Sequence, residues 1–415
     1  MNNYPKKITK LNTEQLSLDK KFLENFIVIQ NLKTGNVFGN PAEGIVTGAW
    51  VAGGIGLEPE SDVEGQKYII YKLDNGTFQI LQKKTGSLVV FIDDHYNPNI
   101  THFKFIALDD YTESGYNIDR YYSFNIINTN NDTFQIRDST FLGYVDLYPS
   151  NNLLVGYSTD VDRDESNQWI FKTVESFKMP TPPPLETLDP FPQYTNLTDN
   201  LPNETPKKLT GWTKIPSFMV EDHNLSDAIK LELTPYYVIE KYQYWKKVET
   251  VSLAPGESRD VTYTTGTNTT IMNSMDSSTN MTIGKDAGLK FDVSKDKTNL
   301  GGTADLKQTI TNGLDIKEST TTDTMTESRE TNNQRNPFDK QSMIFSVYQR
   351  ATELRYIRPS QNEFDPDILI DSWTFIDDTK SNITSFPSQQ AISAELNKKR
   401  NQSHINPSSN VYLNF

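Results

Sequence analysis

The chain has 415 residues, a formal net charge of −14, a pI near 4.9 and no cysteine. This length accommodates two or three domains with cores of ordinary size. The acidic balance argues against nucleic-acid binding, which needs concentrated lysine and arginine, and the lack of cysteine excludes disulfides, thiol catalysis and cysteine-zinc sites. The four histidines are scattered and no apolar run approaches eighteen residues. We therefore expect no metal, no cofactor and no preformed membrane-spanning helix.

An internal repeat occupies the first 175 residues. Residues 75–82 read NGTFQILQ and residues 131–138 read NDTFQIRD, and each follows a predicted strand, at 66–73 and at 120–127. A further strand of this kind is predicted at 167–174. Short strands joined by Gly, Asn and Asp turns predict a closed β-architecture with threefold pseudosymmetry, and a β-trefoil fits best.

A weaker copy and two short motifs agree with this prediction. Residues 26–37 match 78–90, with a Lys-Thr-Gly turn in both. The segments Gln66-Lys67-Tyr68 and Asn167-Gln168-Trp169 resemble the Gln-x-Trp signature of ricin-type trefoil lectins. In those lectins the aromatic residue packs in the core beneath a sugar pocket, so we expect Tyr68 and Trp169 to be core residues.

The remainder of the chain changes in character. A proline-rich stretch at 178–194 predicts a stiff, extended linker, because proline does not join a sheet interior or a helix. Residues 250–331 are rich in serine and threonine, and their alternation predicts ordered strands rather than disorder. Further strands are predicted at 343–357 and 371–378, followed by a polar tail from residue 397 that is disordered or removable.

No catalytic constellation is found. The sequence has no G-x-S-x-G, H-E-x-x-H or phosphate-binding loop motif. The acidic pairs Asp93-Asp94 and Asp109-Asp110 suit a glycosidase only if they converge on one site, whereas Asp-rich turns are their ordinary role. We therefore expect a protein that is not an enzyme.

Residues 281–316 combine two stretches with strand periodicity around the turn-forming sequence SKDKTNLGGT. Such strands have one apolar and one polar face, which suits either a half-buried ribbon in a soluble domain or a hairpin of a membrane barrel. Lys285, Gln308 and Asn312 interrupt the apolar face. The predicted apolar, membrane-inserting residues are Met281, Ile283, Ala287, Leu289, Phe291, Val293, Ala304, Leu306, Ile310, Leu314 and Ile316.

The flanking sequence favours the second interpretation. Residues 211–225, GWTKIPSFMVEDHNL, and residues 234–248, TPYYVIEKYQYWKKV, resemble the Bin-like insecticidal crystal toxins of bacilli, the Toxin-10 or Tpp class. Residues 284–293 and 385–391 are similar to further elements of that family. The chain departs from many members at Ser217, where they have cysteine.

The resemblance implies an all-β protein with an N-terminal, ricin-type β-trefoil and a C-terminal, elongated aerolysin-type antiparallel β-domain that forms pores. The trefoil would bind a glycan, glycoprotein or glycolipid receptor on the gut membrane. The expected divisions are a propeptide-like segment at 1–21, the trefoil at 22–177, the linker at 178–204, the pore-forming domain at 205–396 and a removable tail at 397–415.

The resemblance also implies a life cycle. The protoxin would form an intracellular parasporal crystal in a spore-forming bacterium, leave it by lysis, and act at the plasma membrane of the target cell. Proteolysis at Lys20, Lys21, Lys398, Lys399 and Arg400 would activate it. The pore would be a homo-oligomer, and the resemblance leaves open a homodimer in the crystal and a second toxin component.

Two points stay open at the level of sequence. Asp146, Tyr157 and Asn167 combine an acid, an aromatic platform and an amide, which is a sugar-binding set, but turn and core roles are the more ordinary explanation for them. The alternative function is a carbohydrate-binding lectin or adhesin that forms no pore.

Overall fold

The computed structural model describes residues 18–46, 49–73, 76–94, 103–108, 118–121, 123–130, 132–140, 143–147, 155–158, 165–222, 225–279, 281–291, 303–321 and 323–405. β-strands dominate these residues, which confirms the all-β prediction. The helices in these ranges are α1 (Lys20–Leu23), α2 (Asp227–Leu233), α3 (Thr269–Thr279), α4 (Thr303–Leu314) and α5 (Gln389–Ile405).

The N-terminal region is a single antiparallel sheet of 13 strands. Six of its strands, β1, β4, β5, β9, β10 and β13, pair in that order, and β13 pairs with β1 to close a ring. A closed ring has no free edge among its own strands. The strands are β1 (Asn25–Asn31), β2 (Val37–Val46), β3 (Ala49–Glu58), β4 (Tyr68–Lys72), β5 (Phe78–Gln82), β6 (Val89–Asp94), β7 (Phe103–Leu108), β8 (Ile118–Tyr121), β9 (Phe124–Asn130), β10 (Thr133–Asp138), β11 (Tyr144–Leu147), β12 (Val155–Ser158) and β13 (Trp169–Ser176).

The ring encloses an apolar core built by the repeat. Alternate residues of each strand point inward, as expected for period-two patterning. Ile70 and Ile80 of one copy and Ile126 and Ile136 of the other are all buried in one cluster. Tyr68 and Trp169 are fully buried in the same cluster, which confirms the prediction that these aromatic residues belong to the core.

The C-terminal region is built on a long four-stranded antiparallel sheet with the order β14-β15-β20-β21. Its longest strands have 16 to 19 residues, which corresponds to roughly 50–60 Å at about 3.3 Å per residue. Two short ribbons, β16-β19 and β17-β18, accompany it. The strands are β14 (Lys208–Pro216), β15 (Tyr236–Leu253), β16 (Ser258–Thr265), β17 (Met281–Ile283), β18 (Leu289–Phe291), β19 (Ser328–Arg335), β20 (Met343–Arg358) and β21 (Ile368–Phe386).

The segment between the two regions is extended, as its prolines predict, and it lies against the C-terminal sheet. Phe191 packs edge-on against Trp245, whose indole nitrogen donates to the Asp189 carbonyl at 2.7 Å. Tyr194 is buried, and its hydroxyl lies 2.7 Å from Ser346 Oγ. The segment is therefore fixed along the sheet by side-chain contacts and does not behave as a free tether.

The prediction of two long strands at 281–316 is wrong. Residues 281–291 fold into the small hairpin β17-β18, with a turn where one continuous strand was expected. Residues 303–314 form the helix α4. The polar residues that interrupt the strand pattern explain the error, because Gln308 and Asn312 lie on the exposed side of a helix whose buried residues Ile310 and Leu314 are four apart.

The predicted disordered tail is also partly wrong. Helix α5 extends to Ile405, and Ile392 anchors it in an apolar cluster with Leu253 and Phe345. Lys399 Nζ lies 2.5 Å from Asp339 Oδ1. The residues from 397 onward are polar, which predicts disorder. They instead continue the helix that Ile392 anchors in the apolar cluster. Residues 406–415 lie outside the described residues.

Candidate functional site

The stretch between β16 and β19 is the part of the C-terminal region that carries the candidate pore residues. We call residues 266–327 the insertion segment. It leaves and returns at one place, because β16 and β19 pair along their whole length and Thr265 lies opposite Ser328. The two hydroxyls of that last pair are 2.7 Å apart. The segment is thus a single excursion from the end of a two-stranded ribbon.

The apolar residues of the insertion segment are covered by the long sheet. Met281, Ile283, Leu289, Ile310, Leu314 and Ile316 are buried in one cluster with residues such as Ile239, Leu354 and Trp373. Ala287 and Phe291 pack partly buried against that cluster. Burying a large aliphatic side chain contributes about 1.5–3 kcal/mol, so these contacts together hold the segment firmly on the sheet.

The side chains of three predicted inserting residues lie outside the described part of the chain. Val293 lies outside the described residues. Ala304 and Leu306 belong to α4, but their side chains are outside the described part.

Helix α3 binds the last strand of the sheet through polar contacts as well as apolar ones. Ser274 Oγ donates to Asp371 Oδ2 at 2.5 Å, and Trp373 Nε1 donates to Ser274 Oγ at 3.2 Å. Met272 and Met275 of the same helix are buried. The helix is therefore attached to β21 by a specific hydrogen-bonded contact inside an otherwise apolar interface.

Asp286 organises the turn between β17 and β18. Its carboxylate accepts hydrogen bonds from Ser319 Oγ at 2.7 Å, from the Thr320 backbone nitrogen at 3.0 Å and from the Gly288 backbone nitrogen at 3.3 Å. Burial raises the pKa of Asp286, but these hydrogen bonds and the charge of Lys317 outweigh it and hold the pKa well below its usual range. The carboxylate thus links the hairpin β17-β18 to Ser319 and Thr320, which follow helix α4.

Helix α4 lies directly on the edge strand β14, and two glycines permit this approach. A Cβ at Gly211 would lie 2.7 Å from the Leu314 carbonyl oxygen, and a Cβ at Gly313 would lie 2.8 Å from Thr213 Cβ. The backbones meet too closely for any larger residue. Gly211 was part of a motif recognised in the sequence, but nothing local to it signals that a helix covers it.

A buried lysine faces the segment from the sheet. Lys241 is 2% exposed, its Nζ donates to the Asp315 carbonyl at 3.1 Å, and the Asp315 carboxylate is 3.8 Å away. Burial lowers the pKa of Lys241, while the charge of Asp315 opposes this and that of Arg350 adds to it. No local sequence pattern signals this contact, since the two residues are 74 positions apart.

The predicted sugar-binding residues lie in the third part of the N-terminal sheet. Asp146 and Asn167 are both fully buried, and Asn167 Oδ1 accepts from Gln135 Nε2 at 3.1 Å. Tyr157 belongs to β12, but its side chain is outside the described part. Because neither Asp146 nor Asn167 has exposed surface, this arrangement favours structural roles for both, and direct sugar contact stays a prediction.

The predicted processing sites differ in their surroundings. Lys20 and Lys21 lie in α1, whose Phe22 is buried against Phe134 and Phe171. Leu18 is buried in the same core, so order extends past the expected boundary at residue 21. Lys398, Lys399 and Arg400 lie within α5 and not in an unstructured tail. Cleavage at any of these residues requires the local helix to open first; the activating role stays a prediction.

Two properties of the described residues bear on function. No group of three or more His, Asp or Glu side chains there is arranged to hold a metal ion. Among the helices of those same ranges, not one has the length and apolar character to cross a membrane.

The comparisons with known proteins support one family. Residues 208–386 match the family model described as "Insecticidal Crystal Toxin, P42". The insecticidal crystal protein Cry35Ab1 of Bacillus thuringiensis is 32% identical over 244 residues, which cover 57% of this chain and 60% of that protein. Binary larvicide subunit BinA of Lysinibacillus sphaericus is 33% identical over 143 residues, covering 34% of this chain and 38% of the relative.

One more relative and one solved structure are also similar to this chain. Binary larvicide subunit BinB of Lysinibacillus sphaericus is 26% identical over 211 residues, which cover 50% of this chain and 44% of BinB. The alignments therefore span less than two thirds of the length of these relatives. The crystal structure of Cry35Ab1 has a TM-score of 0.72 and 23% identity, covering 90% of this chain and 92% of that one, and so shares the fold.

These relatives bear the names of toxins and not of enzymes, in agreement with the prediction of a non-enzymatic protein. The family model covers the long sheet together with the whole insertion segment, which is where the sequence resemblance lay. The match over residues 208–386 and the named relatives together support a Bin-like insecticidal crystal toxin family for this chain.

Proposed function

We propose that the protein is an insecticidal toxin that forms a β-barrel pore in the plasma membrane of gut cells. In this proposal the C-terminal region is an aerolysin-type domain, and copies of the chain assemble into a homo-oligomer. Each copy contributes the insertion segment as a hairpin that continues the ribbon β16-β19. The segment first rests on the long sheet and later faces lipid.

One observation carries this proposal. The insertion segment is an excursion whose two ends meet at a paired ribbon, while its apolar residues are covered by the sheet. A hairpin of a closed barrel needs that connectivity, since each subunit must supply two neighbouring antiparallel strands. The exposed residues of the ribbon are Ser, Thr, Asn and charged residues, which suit the water-facing side of such a barrel.

The release step requires a change of secondary structure as well as of position. Helices α3 and α4 must become extended, and their buried residues must exchange the sheet for lipid. The alternation noted at 304–316 permits this, because Ala304, Leu306, Ile310, Leu314 and Ile316 share one face in an extended chain. The same sequence therefore fits a helix in the resting protein and a strand in the pore.

Dye release separates this function from that of a lectin or adhesin. The protein, treated with trypsin, is added to vesicles prepared from larval gut membrane that contain a trapped dye. A pore-forming toxin releases the dye and yields an oligomer of defined mass after detergent extraction. Binding to the vesicles without release and without an oligomer would support the lectin function instead.

For the N-terminal region we propose a β-trefoil that attaches the toxin to a glycan-bearing receptor. The closed six-strand ring, with the hairpins β2-β3, β6-β7 and β11-β12 joined to it, supports this assignment. Glycan-array binding of the wild type, compared with Asp146→Ala and Tyr157→Ala, tests the third-repeat site. Loss of binding with an unchanged unfolding temperature supports sugar contact, and loss of both supports a structural role.

We also propose that the toxin is made as a parasporal crystal and that proteolysis at the terminal lysines activates it. Two relatives are named as subunits of a binary larvicide, so a second toxin component belongs to the proposal. Bioassays with the chain alone and with a candidate second component test this. Equal mortality in both would show that no second component is needed.

A further inference from the structure

A cavity of about 500 Å³ lies where the N-terminal region, the linker segment and the insertion segment come together. Its lining comes from α1, β4, β14, β15 and α4, together with Met179 of the linker segment. This volume is within the range of small-molecule sites, about 300–1,000 Å³. The cavity is separate from the predicted sugar-binding residues, which lie in the third part of the N-terminal sheet.

Positive charge predominates in this cavity. Lys20, Lys72 and Lys214 line it, against one carboxylate, that of Glu24. Glu24 is already paired with Lys20, whose Nζ lies 3.2 Å from Glu24 Oε1. Apolar side chains of Leu23, Leu73 and Met179 complete the wall.

Lys214 differs from the other lysines that are buried or half-buried between these elements. Lys83, Lys230 and Lys241 each have a carboxylate within 4 Å of Nζ. The half-buried Lys214 instead places Nζ 4.7 Å from the centre of the Tyr236 ring. Among the described residues no carboxylate lies within 4 Å of this ammonium group and no acceptor hydrogen-bonds to it.

The surroundings make the charge of Lys214 costly. Burial lowers its pKa, the more distant Glu24 carboxylate opposes this, and the charge of Lys20 lowers it further. A buried ammonium group normally has a partner, because desolvation without one is strongly unfavourable. The cation–π contact with Tyr236 offsets only part of this cost.

We propose that this cavity binds a small oxyanion, a carboxylate or a phosphate, whose negative charge pairs with Lys214 and whose apolar part contacts Leu23, Leu73 and Met179. The bound anion would contact residues of both sheets and of the helix α4 at once. It therefore stabilises the arrangement in which the insertion segment lies on the long sheet. This inference does not depend on the proposed pore or on sugar binding.

The test is thermal unfolding of the full chain with three probes at matched ionic strength: sodium chloride, inorganic phosphate and sodium benzoate. We expect the unfolding midpoint to rise saturably, by a few degrees, with phosphate or with benzoate but not with chloride. Which of the two acts identifies the anion as a phosphate or as a carboxylate. An adventitious, weak response would not saturate and would overturn the proposal.

Two substitutions and one control variant make the result decisive. Lys214→Met should raise the midpoint without anion, because it removes a half-buried charge that has no carboxylate within 4 Å among the described residues, and should abolish the anion response. Lys72→Gln, at an exposed lining residue that leaves the fold intact, should weaken the response several-fold, whereas Lys246→Gln, outside the cavity, should leave it unchanged. An equal response in the wild type, Lys214→Met and Lys72→Gln, or no response in the wild type, would contradict the proposal.

Discussion

The two clearest copies of the N-terminal repeat differ most on their outer faces. At an offset of 56 positions, the inward residues Ile70 and Ile80 correspond to Ile126 and Ile136, and all four are buried in the ring core. The backbones also agree: Lys83 donates to the Lys67 carbonyl at 2.8 Å, and Ser139 donates to the Ser123 carbonyl at 3.0 Å. The common fold of the copies is therefore encoded by their inner faces.

The outer faces are used differently. In the copy at 68–82 the outer residues Ile69, Tyr71, Leu73 and Leu81 are buried in a cluster with the C-terminal region. The corresponding residues of the other copy are Asn125, Ile127, Thr129 and Arg137, each only partly buried. One copy of a threefold pattern has thus become the contact surface for the rest of the molecule. The residues that the copies share therefore determine the fold, whereas the positions at which they differ form the interface with the C-terminal region.

Removing an outer aromatic residue should show the largest difference in stability between the two copies. Tyr71 packs edge-on against Phe218 and Tyr236, and its hydroxyl donates to the Pro235 carbonyl at 2.8 Å. We expect Tyr71→Ala to cost about 3–5 kcal/mol, because it leaves a cavity between the two regions. Ile127→Ala, the matched change in the other copy, should cost about 1 kcal/mol, since that side chain is partly exposed. Calorimetry of both variants measures the difference, and equal costs would refute the assignment of the interface.

The two Lys-Thr-Gly turns give a second, smaller contrast. Gly35 and Gly86 have nearly the same left-handed backbone, with φ of 71° and 72°. A Cβ at Gly35 would meet nothing within 4 Å, whereas a Cβ at Gly86 would lie 2.5 Å from Asp227 Cβ at the start of α2.

Gly35→Ala should therefore cost about 1–2 kcal/mol, the ordinary cost of this conformation. Gly86→Ala should cost about 1–3 kcal/mol more, because the two regions must also move apart. Thermal unfolding of the pair measures this. A Gly86→Ala variant as stable as Gly35→Ala would show that the turn does not bear on the C-terminal region.

The smallest expected effect on stability comes from ion pairs that one copy has and the other lacks. Glu64 and Glu175 contact Lys67 and Lys83 in one copy, where the other copy has Ser123 and Ser139. Burial raises the pKa of Glu64, but hydrogen bonds from Lys67 and Lys83 outweigh it and lower the pKa. The resulting stabilisation is complete above the ordinary Glu pKa of about 4.3 and is lost as the pH falls through the lower, folded value.

Because Glu64 is half exposed, this contribution should be below about 1 kcal/mol. We expect the unfolding temperature of the wild type to fall slightly more between pH 6 and pH 3 than that of Lys67→Ser, which imitates the other copy. Parallel pH profiles for the two proteins would show that the ion pairs contribute nothing measurable.

The sequence predicted what depends on local pattern. The internal repeat located β4 and β10, a strand was predicted where β20 lies, and the core positions of Tyr68 and Trp169 followed from the motif that contains them. Long-range contacts left no local signal. The close approach of Gly211 to Leu314 and the pairing of Lys241 with Asp315 join residues that are distant in the chain.

Helix α4 shows why the insertion segment was mispredicted. Its buried residues fit both a period of two and a spacing of four, and packing against β14 decides for the helix in the resting protein. A sequence that satisfies two patterns is the kind that the proposed change of structure requires. The membrane-inserting role of these residues stays a prediction, while their resting conformation differs from the two strands expected.

The most direct test of the proposed release is a disulfide that ties the insertion segment to the sheet. The chain has no cysteine, so Ser274→Cys with Asp371→Cys introduces a single pair, at side chains now 2.5 Å apart. The control, Thr265→Cys with Ser328→Cys, joins the two ends of the segment across the ribbon without tying it to the sheet.

Dye release from gut-membrane vesicles is measured for both proteins, oxidised and reduced. We expect the oxidised Ser274-Asp371 variant to release no dye until it is reduced, and the control to release dye in both states. Full release by the oxidised Ser274-Asp371 variant would contradict the proposed release, because the segment would then form no part of the pore.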